Sequence, residues 1–191
     1  HNNNSEMFKA INKISRNEFI VDASKKFYRL KRLLKINKNI YTLHIIRDPR
    51  AYAFSIMKYN KRALTNNIKP QNVYLKVIRW SIYNFYVKLY LKITGVRHLT
   101  IIYEDFVDKP KDILLRIFKF IGKNNKGVSL SFSESQPVFS GNVWFFEAKK
   151  NKIFKDELYK TLLTKKQWII YTILSFPILL FYGYPLSKKL K

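Results

Sequence analysis

Residues 41–50 read YTLHIIRDPR. From Tyr41 to Ile46 the residues are apolar or β-branched almost throughout, which predicts a strand covered on both faces. The run stops at Arg47, and Asp48 with Pro49 then opens a helix. Aspartate is a good N-cap, and proline is favoured at the first helical position. In parallel α/β folds, ligands bind beyond the carboxyl ends of the strands. Arg47 therefore stands where a ligand group belongs, and its guanidinium can grip a phosphate through two N–H groups. Ser55 follows eight residues later, about two turns into the helix, and its hydroxyl can supply a second donor. The same short motif also fits a plainer reading, in which Arg47 pairs with a carboxylate and Ser55 is a surface serine.

Upstream, Met7, Ala10, Ile11 and Ile14 have helical spacing. Phe19 to Val21 is a short β-like run. Asp22, Ala23 and Ser24 follow it and can cap a helix whose apolar side is Tyr28, Leu30, Leu33 and Leu34. Downstream, Asn66 to Gln71 reads as a loop. Val73 to Ile93 reads as a long helix, apolar almost all round and so expected to be well buried, with Gly95 as its stop. Leu99 to Tyr103 is a further strand. Pro110 opens another helix, which Gly122 closes. Gly127 to Asn142, rich in Ser and Gly, reads as a long loop of the kind that carries function. A charged helix near Lys155 to Leu163 leads into the apolar stretch Trp168 to Tyr184, read as a buried terminal helix. That stretch is short of the ~20 apolar residues of a spanning helix, with peripheral membrane contact as the lesser reading. Three strands alternating with helices predict an α/β fold with a parallel sheet, in a single domain over residues 1–191.

The 191 residues carry 37 Lys and Arg against 12 Asp and Glu, a formal net charge of +25. That balance suits an anionic partner, whether nucleotide, sulfated or phosphorylated glycan, nucleic acid or membrane surface. A lysine- and asparagine-rich codon bias produces the same balance, so charge alone assigns nothing. There is no cysteine, which excludes disulfides and thiolate metal sites. His1, His44 and His98 are too scattered for zinc spacing. The start, His1 followed by three asparagines, carries neither a signal peptide pattern nor an initiator Met and reads like a chain entered in the middle.

One ordered set of residues narrows the reading. It runs from Val21-Asp22-Ala23-Ser24-Lys25 and Tyr28-Arg29-Leu30 through His44 to Arg50, Ser55, Trp80 and Asn84. It continues with Tyr103-Glu104-Asp105 and Ser140-Gly141-Asn142, and ends at Tyr182-Gly183-Tyr184. In order and spacing this resembles the superfamily of sulfotransferases that use 3′-phosphoadenosine 5′-phosphosulfate (PAPS), especially the bacterial and Golgi-type carbohydrate enzymes. The resemblance spans about Phe19 to Tyr184.

It implies a P-loop-like three-layer fold with a central parallel sheet. It also implies transfer of a sulfuryl group from PAPS to a hydroxyl or amine, with a carbohydrate acceptor expected and adenosine 3′,5′-bisphosphate (PAP) as product. Arg47 and Ser55 match the pair that grips the donor's 3′-phosphate. Lys25 matches a lysine beside the sulfuryl group, where a cation balances charge on the moving group. Ser140, Gly141 and Asn142 match the loop over the nucleotide, although Val143 and Phe145 stand where the family often has Pro and Arg. His44 and Tyr103 to Asp105 match too, and read as structural.

The superfamily's Gly/Ser/Thr-rich loop, which cradles the 5′-phosphosulfate after the first strand, has no counterpart in these residues. The expectation is thus a carboxy-terminal two thirds with the first strand and that loop missing, inactive by itself and without an assignable base. No metal is implied. The location implied is cytoplasmic or peripheral to the membrane in a bacterium, or the Golgi lumen in a eukaryote. The competing reading is a non-enzymatic basic protein that binds nucleic acid through lysines interleaved with Tyr and Phe. A P-loop kinase would need GxxxxGK[ST], which does not occur.

Overall fold

The computed structural model describes residues 2–15, 18–123 and 156–188. Two strands, β1 (Thr42–Ile46) and β2 (His98–Ile102), pair in parallel, with His44 opposite Thr100 and Ile46 opposite Ile102. A parallel pair needs a long crossover. Here helices α3 (Pro49–Thr65) and α4 (Val73–Ile93) supply it, while α1 (Asn2–Ser15) and α2 (Phe27–Ile36) precede the sheet. After β2 come α5 (Tyr103–Asp108), α6 (Pro110–Phe120), α7 (Leu158–Leu162), α8 (Lys165–Leu174) and α9 (Phe176–Phe181). The result is a mainly helical α/β arrangement around a small parallel sheet.

Local chemistry sets most boundaries. Asp48 caps α3 by accepting from Arg50 N at 2.8 Å, and Pro49 sits at the start of the helix. Asn60 holds the α3–α4 loop closed by donating to Gln71 O and accepting from Gln71 N. Asn72 then caps α4 through Leu75 N. Gly95 and Gly122 follow α4 and α6 at φ +63 and +78, left-handed positions that cost a residue with a Cβ about 1–2 kcal/mol. Thr164 and Gln167 form a reciprocal capping box at the start of α8. The core gathers Ala51, Ala53 and Phe54 of α3, Val77 of α4, Tyr159 and Leu163 from α7 and its end, and Trp168 and Tyr171 of α8.

Five expectations change. Phe19 to Val21 forms no strand, and Val21 is 86 % exposed, so the described sheet has two strands and not three. Its neighbour Asp22 does not cap α2. It accepts from Ser24 N and pairs with Arg29 at 2.6 Å, while the first free amide of α2, Phe27 N, donates to Tyr83 Oη of α4. Burial opposes ionisation of Asp22, but the bonds from Arg29 and Ser24 outweigh it and hold the carboxyl below its ordinary range.

Among the described residues, strand β1 is covered on one face only. His44 and Ile46 are buried, whereas Leu43 and Ile45 on the other face are 40 % and 57 % exposed. Helix α4 likewise buries Val77, Ser81, Asn84, Val87 and Leu91 and leaves the opposite side open. Finally, the apolar stretch from Trp168 is two helices that meet at Ser175. Pro177 lacks the N–H that would continue α8, and Ser175 Oγ donates back to Tyr171 O at 2.6 Å.

Candidate functional site

Arg47 leaves β1 at its carboxyl end, with α3 opening immediately after it. Its guanidinium lies over the Tyr103 ring, 4.9 Å from the centroid, and its Nη2 is 3.8 Å from Asp156 Oδ2. Lys58, on α3, reaches the same carboxylate oxygen at 3.4 Å. Both contacts are longer than the ~2.7–2.9 Å of a tight charge-assisted bond. Each of the three side chains keeps roughly a third of its surface open (32 %, 31 % and 37 %). Arg47 Nε is buried and has no hydrogen-bond partner among the described residues. Two cations thus converge on one loosely held carboxylate, and the edge of the guanidinium retains a free donor. An anion with several oxygens could satisfy both cations and the orphaned Nε.

Ser55 is exposed on α3, one turn before Lys58 and so on the same side of that helix. No hydrogen bond or ion pair among the described residues joins it to Arg47, Lys58 or Asp156. Lys25 is exposed, in left-handed conformation at φ 58, and makes no hydrogen bond or ion pair among the described residues. No contact brings it to Arg47, Lys58 or Asp156. Ser140, Gly141 and Asn142 lie outside the described residues. Within the described residues, no group of three or more His, Asp or Glu side chains is placed to hold a metal.

Directly beneath Arg47 lies a polar cluster whose convergence the sequence did not show. Arg50 is fully buried and Asp48 nearly so. Arg50 Nε and Nη2 grip the Asp48 carboxylate at 2.9 and 2.8 Å, and Nη1 donates to Pro185 O at 2.8 Å. The guanidinium also stacks on Trp168, 4.1 Å from the ring centroid, and Trp168 in turn stacks on Tyr159. Tyr159 Oη donates to Asp48 Oδ2 at 3.1 Å. Glu104 completes the set, accepting from Asp48 N at 3.0 Å and from Tyr184 Oη at 2.8 Å.

Burial, reinforced by the charge of Asp48, raises the Tyr159 phenol far above its ordinary value. Burial, followed by the charge of Glu104, does the same for Tyr184. Both stay protonated donors. This cluster ties residues 156–188 to the end of β1 and fixes the backbone from which Arg47 projects. Its members stood in the sequence piecemeal, Arg50 beside the helix-opening Asp-Pro, Glu104 read as structural and Tyr184, but nothing there showed that they meet.

His44 is 8 % exposed, with Nε2 3.2 Å from Asn84 Oδ1. Desolvation lowers its pKa despite that bond. It is a core histidine that pins α4 to β1. None of the family models, curated proteins or solved structures compared with this chain matches it.

Proposed function

We propose that this chain supplies the 3′-phosphate-binding part of a PAPS-dependent sulfotransferase. In this reading the two-stranded sheet belongs to a P-loop-like three-layer fold. Arg47 and Ser55 hold the donor's 3′-phosphate, and Ser140, Gly141 and Asn142 belong to the loop over the nucleotide. The observation that carries it is the half-open Arg47, at the end of a parallel strand, with its orphaned Nε beside Lys58. Lys58 adds a cation to the pair that the sequence pointed to. Asp156 occupies the place of the phosphate when no nucleotide is bound, and a phosphate with more oxygens and greater charge displaces it.

In the reaction, the sulfur–oxygen bond to the donor's 5′-phosphate breaks as the acceptor oxygen or nitrogen bonds to sulfur. The acceptor proton passes to a base, and PAP leaves. Arg47 and Lys58 act at the far end of the nucleotide: they bind and orient, so their contribution is positional. Lys25 is assigned to the sulfuryl end, where a cation offsets developing charge. The acceptor is a hydroxyl or amine of a carbohydrate.

Isothermal titration with PAP and with AMP tests the binding claim, because only PAP carries the 3′-phosphate. PAP is expected to bind the tighter. Arg47→Ala should weaken PAP by about 2–3 kcal/mol, the scale of losing hydrogen bonds to a charged group, and should leave AMP unchanged. Equal affinity for the two nucleotides removes the reading. A polynucleotide binding as well as PAP would favour the basic nucleic-acid binder instead.

A further inference from the structure

The longest helix leaves an apolar stripe uncovered. On α4, Leu75, Ile82 and Leu89 recur every seven residues, with Ile78, Phe85 and Ile93 between and beyond them. At 3.6 residues per turn these six fall within an arc of about 80°. The arc lies opposite the buried Val77, Ser81, Asn84, Val87 and Leu91. Ile82 is 64 % exposed and Ile93 73 %, with Leu75, Phe85 and Leu89 also exposed. The stripe continues sideways onto α9, where Phe181 packs edge-on against Phe85 at 6.3 Å and is itself exposed together with Phe176 and Leu180. On the other flank stands α2, whose Lys31 donates to Tyr86 Oη at 3.0 Å. A contiguous apolar surface of this kind on a folded chain marks an interaction site.

Charge decides the occupant. Helices α2, α4, α8 and α9 contain no Asp or Glu, whereas α2 carries Lys31, Arg32 and Lys35 beside Arg29, which pairs with Asp22, and α4 carries Lys76, Arg79 and Lys92 beside Lys88, which turns to Thr100. A second copy of the chain would bring the same cations and the same +25 face to face, which like-charge repulsion opposes. An anionic bilayer offers a hydrocarbon boundary for the stripe and negative headgroups for its flanks. The exposed rings of Tyr83 and Tyr86 at the border have an apolar body and a polar tip, which suits the headgroup level. No described helix is long and apolar enough to cross a membrane, so the contact is with the surface.

We infer that the exposed face formed by α4 and α9 docks this protein on an anionic phospholipid surface. This does not depend on the nucleotide site, which uses α3 and the end of β1. The test is co-sedimentation of the full chain with phosphatidylcholine vesicles, with and without phosphatidylglycerol. The chain should bind the anionic vesicles at least about tenfold better than the neutral ones, the effect of a few surface cations. Ile82→Glu with Leu89→Glu should remove that binding. Ile82→Gln with Leu89→Gln should weaken it without adding charge, and Leu64→Glu, on the exposed side of α3, should leave it intact. Thermal melts monitor folding of each variant. Equal binding to neutral vesicles, no binding to either, equal loss in the Leu64 variant, or a stable dimer in light scattering would overturn the inference.

Discussion

Two arginines three residues apart have opposite fates. Arg47 keeps a third of its side chain open beside Lys58 and Asp156, while Arg50 is enclosed by Asp48, Trp168 and Pro185 O. Removing one partner of a buried ion pair leaves the other charge uncompensated, typically at ~3–5 kcal/mol. Arg50→Ala should therefore lower unfolding stability by about that amount in a urea titration followed by Trp fluorescence. Arg50→Lys should not restore it, since an ammonium lacks the planar fork. Arg47→Ala should leave stability within ~1 kcal/mol, because its ion pair is half exposed. The reverse ranking would show that the two roles have been exchanged.

His44 gives a pH signature. Its pKa in the folded state is depressed from 6.5 by desolvation, so between the two values the unfolded chain binds the proton better. Its stabilising effect is complete above the unfolded value and is lost as pH falls below it toward the folded one. Stability should decline as pH falls through and below 6.5, and His44→Leu should flatten that slope in denaturant titrations at stepped pH. An unchanged slope would assign the pH response to other groups.

At the scale of elements, the one-sided burial of β1 and α4 has direct consequences. Ile45 and Ile46 are neighbours of the same residue type on opposite faces. Ile46 is fully buried and Ile45 57 % exposed. Ile46→Ala should cost about 2–5 kcal/mol and Ile45→Ala less than about 1, as measured by chemical denaturation. Comparable losses would mean that something covers the outer face of β1. Periodicity predicted both elements but could not reveal this asymmetry. An all-apolar strand predicts cover on two faces, and an all-round apolar helix predicts deep burial. The described residues provide one layer against each. The start of α3 was legible because its cause is local: Asp48 caps the helix by bonding an amide two residues away. The interruption at Ser175 and Pro177 was equally local, and only its consequence, two helices in place of one, needed the tertiary structure.

Across the whole molecule, a formal charge of +25 must act against compactness. Self-repulsion among surface lysines is screened over a Debye length of about 8–10 Å at moderate salt. The buried Arg50–Asp48 pair is screened far less. Raising sodium chloride should therefore raise the Tm, and a falling Tm would show that favourable surface pairs outweigh the repulsion.

The sequence by itself determined the strand β1, the helix start at Asp48-Pro49 and the span of α4, that the β1 end presents an arginine, and that the chain as a whole is strongly cationic. Each of these depends on residues close together in the chain, or on composition alone. Only the tertiary structure decided which arginine is buried, which faces of β1 and α4 are covered, and that Lys58 and Asp156 join Arg47. The partners responsible are remote: Tyr159 lies 111 residues from Asp48, and Pro185 lies 135 from Arg50. Burial is a property of what packs against a side chain, and local spacing carries no record of a neighbour that far along the chain.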